Sequence, residues 1–285
     1  MPASCRFAVG VLLGLHTSTS AWAQPAPEAP ISPGHQVIQL FNGKDLSGFT
    51  TWLKDTGRAD PRKVYTVENG MIHISGEGMG YLATEKAYRN YHLLLEYQWG
   101  KYTTNSKVAR NSGLLLHAIG PDGGARGGFM TCLECQIAQG CEGDLIVIRG
   151  ADERGKAIPA TVTCETEVGP DGKMRWKRGG TKTVYSGKQF WWSMHEPFFR
   201  ELLDTRGRDD VASPLGQWTK IECLCDGGRV TIKINGVTVN ECFDAYPSAG
   251  KILLENEGSE IYFRNIELRP LPNQAANATI IKDTP

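Results

Sequence analysis

The residues able to do chemistry in this sequence sit singly inside short apolar runs, at strand spacing. In Leu133-Glu134-Cys135-Gln136-Ile137 a carboxylate and an amide share one parity, while Leu133, Cys135 and Ile137 share the other. Tyr91–Trp99 repeats the pattern: His92, Leu94, Glu96 and Gln98 against Leu93, Leu95, Tyr97 and Trp99. In Ser112–Ile119 the imidazole of His117 falls in phase with Leu115 and Ile119. Alternate residues of a strand point to opposite faces, so polar groups recur mid-strand on one face of several of these runs. Carboxylates, amides and an imidazole on one face can hold sugar hydroxyls and move protons. A solvated outer face, which every sandwich has, gives the same pattern, and parity alone leaves both readings open.

Tight turns connect these runs. Asn69-Gly70 joins Val64–Glu68 to Met71–Ser75, and Asn235-Gly236 joins Arg229–Ile234 to Val237–Glu241. Asn-Gly between alternating runs signals a type I′ hairpin. Further strands are expected at Trp218–Cys225, Met130–Ala138, Asp144–Arg149, Lys251–Glu255 and Ser259–Leu268. Helical periodicity is nearly absent, Glu196–Thr205 being the best helical stretch. Many antiparallel strands with tight turns predict an all-β sandwich or jelly roll. Residues 150–217 interrupt the rhythm as a polar, Gly-rich insertion carrying Phe190, Trp191, Trp192, Phe198 and Phe199. Trp191 and Trp192 could stack on sugar and His195 could transfer a proton; aromatic residues there serve equally well as core.

Lys plus Arg and Asp plus Glu both number 31, so the net charge is zero. No general field attracts a nucleic acid or an anionic membrane. Residues 1–23 read as an export signal: Arg6, an apolar run from Phe7 to Leu15, then Ala21-Trp22-Ala23. No Cys stands at the cleavage point, so no lipid anchor is expected. A Pro-rich linker (24–36), one domain (37–271) and a tail (272–285) complete the expected organisation.

Of eight Cys, Cys5 falls in the signal. Cys132, Cys135, Cys141 and Cys164 make one or two disulfides plausible. A zinc site there is disfavoured, because Cys132 and Cys135 point to opposite strand faces. Cys223 and Cys225 share a face with Ile221 and read as core.

Six motifs in order then carry a resemblance: Leu40-Phe-Asn-Gly-Lys-Asp-Leu-Ser-Gly48, Tyr81-Leu-Ala-Thr84 with Tyr88–Gln98, Asn111-Ser112-Gly113, Leu133–Ile137, Ile234-Asn235-Gly236 and Arg264-Asn265-Ile266. Over roughly 37–270 the chain resembles the 3-keto-disaccharide hydrolase family. The resemblance implies a concanavalin A-like jelly-roll sandwich of two antiparallel sheets, acting on 3-keto glycosides. A C3 ketone acidifies the C2 proton; a base removes it, the aglycone leaves C1 by β-elimination, and water adds to the enone. Such a site needs a base, a carbonyl polariser and a proton donor.

On this resemblance Glu134 is the expected base or metal-ligating carboxylate, with His117 and Arg264 as the other catalytic groups. Gln136, Asn111, Glu96, Trp191, Trp192, His195 and Glu255 are expected to bind substrate. Asn111 could instead be a turn former, and Glu96 could simply pair with Arg264. A divalent cation could polarise the carbonyl, with Glu134, Glu255, Glu257 and His117 as possible ligands. Two departures stand out. His117 occupies the place of a usual Arg after the Asn-Ser-Gly motif. Leu254-Glu255-Asn256-Glu257-Gly258 replaces a Gln and a His of the usual pattern by acids. A non-catalytic sugar-binding module of the same fold is the alternative.

Overall fold

The computed structural model describes residues 28–272. The signal expected at 1–23, the start of the linker and the tail from 273 lie outside them. In chain order the strands are β1 (Ile38–Gln39), β2 (Phe49–Leu53), β3 (Tyr65–Glu68), β4 (Met71–Ile74), β5 (Met79–Thr84), β6 (Tyr91–Thr103), β7 (Asn111–Ile119), β8 (Thr131–Ala138) and β9 (Leu145–Ile148). They continue with β10 (Thr161–Val168), β11 (Met174–Trp176), β12 (Thr181–Val184), β13 (Thr219–Asp226), β14 (Arg229–Ile234), β15 (Val237–Tyr246), β16 (Lys251–Glu257) and β17 (Ser259–Arg269).

Two antiparallel sheets result. The small sheet runs β2-β5-β16-β7-β8-β9 and the large one β11-β10-β15-β14-β13-β6-β17-β4-β3, with β1 on β17 and β12 on β10. Both Asn-Gly hairpins form as expected. Asn69 and Gly70 have φ of 51° and 77°, Asn235 and Gly236 of 47° and 85°, the left-handed pair a type I′ turn needs. The core lies between the sheets. Leu93, Leu95 and Tyr97 of β6, and Ile221 and Cys223 of β13, meet Leu114, Leu133 and Ile137 of the small sheet. Each such Leu or Ile contributes about 1.5–3 kcal/mol on burial.

A second apolar cluster covers part of the small sheet's outer face. Tyr81, Leu115, Cys132 and Leu253 are capped by Phe129 and Met130 from the loop between β7 and β8. That loop is fastened: Trp52 Nε1 donates to Gly127 O at 3.0 Å and Tyr81 Oη to Asp122 at 2.8 Å. Its paired Ala125 and Phe129 leave Arg126, at φ 55°, at the tip.

Several expectations change here. Glu196–Thr205 forms turns, not a helix. The 150–217 insertion is not one loop. β10, β11 and β12 extend the large sheet, and Phe190 and Trp192 fill the core. All seven described cysteines are buried free thiols, so the 132–164 group is not crosslinked in this structure, and Cys132 faces outward while Cys135 faces inward. The segment read as a linker is tied down at Ile31, whose N–H donates to Ala87 O at 2.8 Å and whose carbonyl accepts from Arg89 N at 2.9 Å.

Candidate active site

Four adjacent strands, β16-β7-β8-β9, floor a cleft of about 360 Å³ on the outer face of the small sheet. Parity puts Glu255 and Glu257 of β16, Glu134 and Gln136 of β8, and Ile146 and Ile148 of β9 on this face. β7 contributes Gly113, and any side chain there would push a floor carboxylate aside. A Cβ at 113 would lie 2.9 Å from Glu134 Oε1 and would overlap Glu255 Oε2. The missing side chain lets the two carboxylates converge.

The walls come from loops. Arg126 and Phe129 form one side; Arg149, Tyr185, Gly187 and Gln189 form the other. Buried Asp144 holds the second wall, accepting from Gln189 Nε2 at 2.9 Å and Trp192 N at 2.8 Å. Phe190 pairs with Leu145 through two 2.9 Å backbone bonds, and Asn240 Nδ2 donates to Phe190 O at 2.8 Å.

The carboxylates are buried and mutually repulsive. Burial, then the charge of Glu257, pushes Glu134 up from 4.5 to about 8, with Arg126 opposing. Burial, then the charges of Glu134 and Glu257, pushes Glu255 well above the carboxylate range. Burial also raises Glu257, against an Asn111 Nδ2 hydrogen bond and the Arg126 charge. Among the described residues, Glu255 Oε2 and Asn111 Oδ1 are buried without a hydrogen-bond partner. Unpaired buried acceptors are costly, so they mark places for a ligand hydroxyl or a water. Carboxylates crowded in this way share protons, so one can accept while a neighbour donates.

The expected site residues therefore divide. Glu134, Gln136 and Glu255 line the cleft, and Asn111 touches it through Glu257. Glu96 and Arg264 do not join them. They lie on the outer face of the large sheet, with Arg264 Nε donating to Glu96 at 2.6 Å over the Trp218 ring. Both are in phase with an outward face, but of the opposite sheet.

His117 is displaced by a register shift in β7 between Leu116 and Ile119, where its φ is 56°. The imidazole turns to the core, edge-on to Tyr91 at 5.7 Å, with Nδ1 3.2 Å from Pro247 O. Burial lowers its pKa to about 4, so it is neutral.

Trp192 is core. Trp191 carries Lys173 Nζ at 3.4 Å and packs on His195, whose Nδ1 lies 2.9 Å from Gly140 O; neither lines the cleft.

Among the described residues no three His, Cys, Asp or Glu side chains are grouped closely enough to hold a metal ion, so the carboxylate strip does not amount to a metal cage. Sequence reasoning missed Arg126, Arg149, Tyr185 and Gln189, which sit on aperiodic loops. Glu257 was visible only as a departure from the resembled pattern.

Fold and site together define an all-β jelly-roll domain with an acid-floored cleft. The chain belongs to the 3-keto-alpha-glucoside-1,2-lyase-like domain family, whose sequence profile matches residues 36–269. None of the curated proteins matches it. Among solved structures it is similar to a candidate glycosyl hydrolase from Parabacteroides distasonis, at 19% identity and TM-score 0.47, covering 82% of this chain and 94% of that one. It is also similar to the carbohydrate binding module CBM66 from Bacillus subtilis (10% identity, TM-score 0.38, 84% and 99% covered). The alginate lyase AlyC3 is a further neighbour (12% identity, TM-score 0.41, 79% and 90% covered).

Proposed function

We propose that this protein cleaves 3-keto glycosides in the small-sheet cleft. The observation that carries the reading is the convergence of Glu134 and Glu255 over Gly113, with Glu255 Oε2 unpaired, inside a cleft of sugar size. In this scheme the Glu134 carboxylate takes the C2 proton of the ketosugar. The electron pair moves into an enolate at C2, C3 and the C3 oxygen, and Arg126 is the cation placed to stabilise it. The enolate collapses to a C1=C2 enone and expels the aglycone oxygen from C1. Protonated Glu255 supplies the proton that oxygen needs. Water then adds at C1, giving its proton to the ionised Glu255, and C2 regains a proton from Glu134, so the free 3-keto sugar and the aglycone alcohol form and both acids return to their starting states. Gln136, with Asn111 beside Glu257, supports the sugar hydroxyls.

The test is release of a chromogenic aglycone from a 3-keto glucoside by wild type and by Glu134→Gln. Turnover by wild type that is lost in the variant supports the scheme. Sugar binding without turnover by wild type favours a non-catalytic module and overturns it. We also propose export, on the basic start, apolar run and Ala-x-Ala site of residues 1–23. Recovery outside the cytoplasm of a chain beginning at Gln24 supports this; recovery of an uncleaved cytoplasmic chain overturns it.

A further inference from the structure

Seven thiols are buried in the described fold, and none belongs to the proposed reaction. They differ in geometry. Cys164 of β10 and Cys242 of β15 are directly opposite each other in an antiparallel ladder. Residues so placed have Cα atoms about 4.5 or 5.5 Å apart, depending on whether the pair is hydrogen-bonded. Both spacings fall in the range of about 4.4–6.8 Å that a disulfide spans. Their side chains share one face, in the core, and the Cys164 thiol is close enough to interact with that of Cys242.

The other neighbours do not qualify. Cys135 and Cys223 interact across the core, but from opposite sheets. Face-to-face sheets stand about 10 Å apart on average, so a bridge between them needs a local close approach, whereas a laddered pair is within span by construction. Cys225 and Cys242 both flank Val230, so a whole strand separates them. Cys132 is on the outer face of the small sheet, and Cys141 sits in the turn between β8 and β9.

We propose that Cys164 and Cys242 are a disulfide-forming pair, closed by thiol–disulfide exchange with a disulfide-bearing partner. One thiolate attacks the partner's disulfide, giving a mixed disulfide and releasing one partner thiol. The second thiolate attacks the mixed disulfide, forming the Cys164–Cys242 bond and releasing the other. The two cysteines lose two electrons and two protons; the partner disulfide is reduced to two thiols. Exchange takes place before the strands close over the sulfurs, because both are fully buried in the fold. The bond fastens β10, the first strand of the insertion, to β15. β12 pairs with β10 and leads into Tyr185 at the cleft wall, so the crosslink braces that wall.

The test is independent of catalysis. The full chain is refolded with glutathione and glutathione disulfide as the exchange partner, thiols are blocked, and the protein is digested without reduction. The expected result is one linked peptide pair carrying Cys164 and Cys242, absent after reduction, with the free-thiol titre lower by two. The urea midpoint of the oxidised wild type should exceed that of the reduced protein, and the difference should vanish in Cys242→Ser. Because that variant could fail to fold, peptide mapping of the wild type decides alone. Retention of every free thiol, or a link through Cys135, Cys223 or Cys225 instead, overturns the proposal.

Discussion

Glu134 and Glu255 face the same side of the small sheet from β8 and β16 and close over Gly113 of the strand between them, so that a side chain at 113 would displace one or both carboxylates. Burial, then the charge of Glu257 on Glu134 and the charges of Glu134 and Glu257 on Glu255, favours the protonated form of both acids. An acid held in this way is both a strong base once ionised and a ready donor before it.

Replacing Glu134 by Gln should lower kcat/KM for a chromogenic 3-keto glucoside by about 10²–10⁴-fold, the usual contribution of general acid–base catalysis. The fold should survive, since the substitution removes a buried charge. Thermal melting and the aglycone assay on the same sample check both.

Glu134 rises from 4.5 to about 8 on folding, so the folded state binds its proton more tightly than the unfolded chain. Its contribution to stability is complete below about 4.5 and is lost as pH climbs towards 8. Wild-type stability should therefore fall over that window, and Glu134→Gln should flatten the fall. Urea midpoints measured across pH decide this. An equal slope in both proteins would count against the assignment.

Arg126 and Glu257 pull Glu134 in opposite directions. Activity should rise with pH as Glu134 ionises. Arg126→Gln should move that rise to higher pH, and Glu257→Gln to lower pH. The pH profile of kcat/KM for the three proteins reads the shifts directly.

Gly113→Ala should cost about 10²-fold in kcat/KM, because displacing a reacting group by about 1 Å is enough for such a loss. Far-ultraviolet circular dichroism should remain that of wild type.

Arg264→Ala should leave turnover unchanged and cost no more than about 1 kcal/mol, as expected of a partly exposed ion pair. Kinetics and urea unfolding of the variant test this.

Much of the fold could be read from strand periodicity. The alternation Leu133-Glu134-Cys135-Gln136-Ile137 assigned each side chain to the correct face, and Asn69-Gly70 and Asn235-Gly236 marked their turns. Parity says inward or outward, however, and not which sheet. Glu96 and Glu134 look alike in sequence yet lie on opposite sides of the sandwich. One extra residue in a strand reverses its phase, and the shift near His117 carried that imidazole into the core. Arg126 and Gln189 lie on loops fixed by Trp52, Tyr81 and Asp144, contacts that no local pattern encodes.

The cleft has a floor made of strands and walls made of loops. The floor carboxylates are locked in register by their ladders, whereas Arg126 and the 187–189 segment stand on loops outside every strand of the small sheet. The architecture thereby separates inheritance from adaptation: a lineage can retain one proton-transfer platform while its rims are rewritten for new leaving groups. Laboratory libraries confined to those two rims should explore selectivity with little risk to the scaffold.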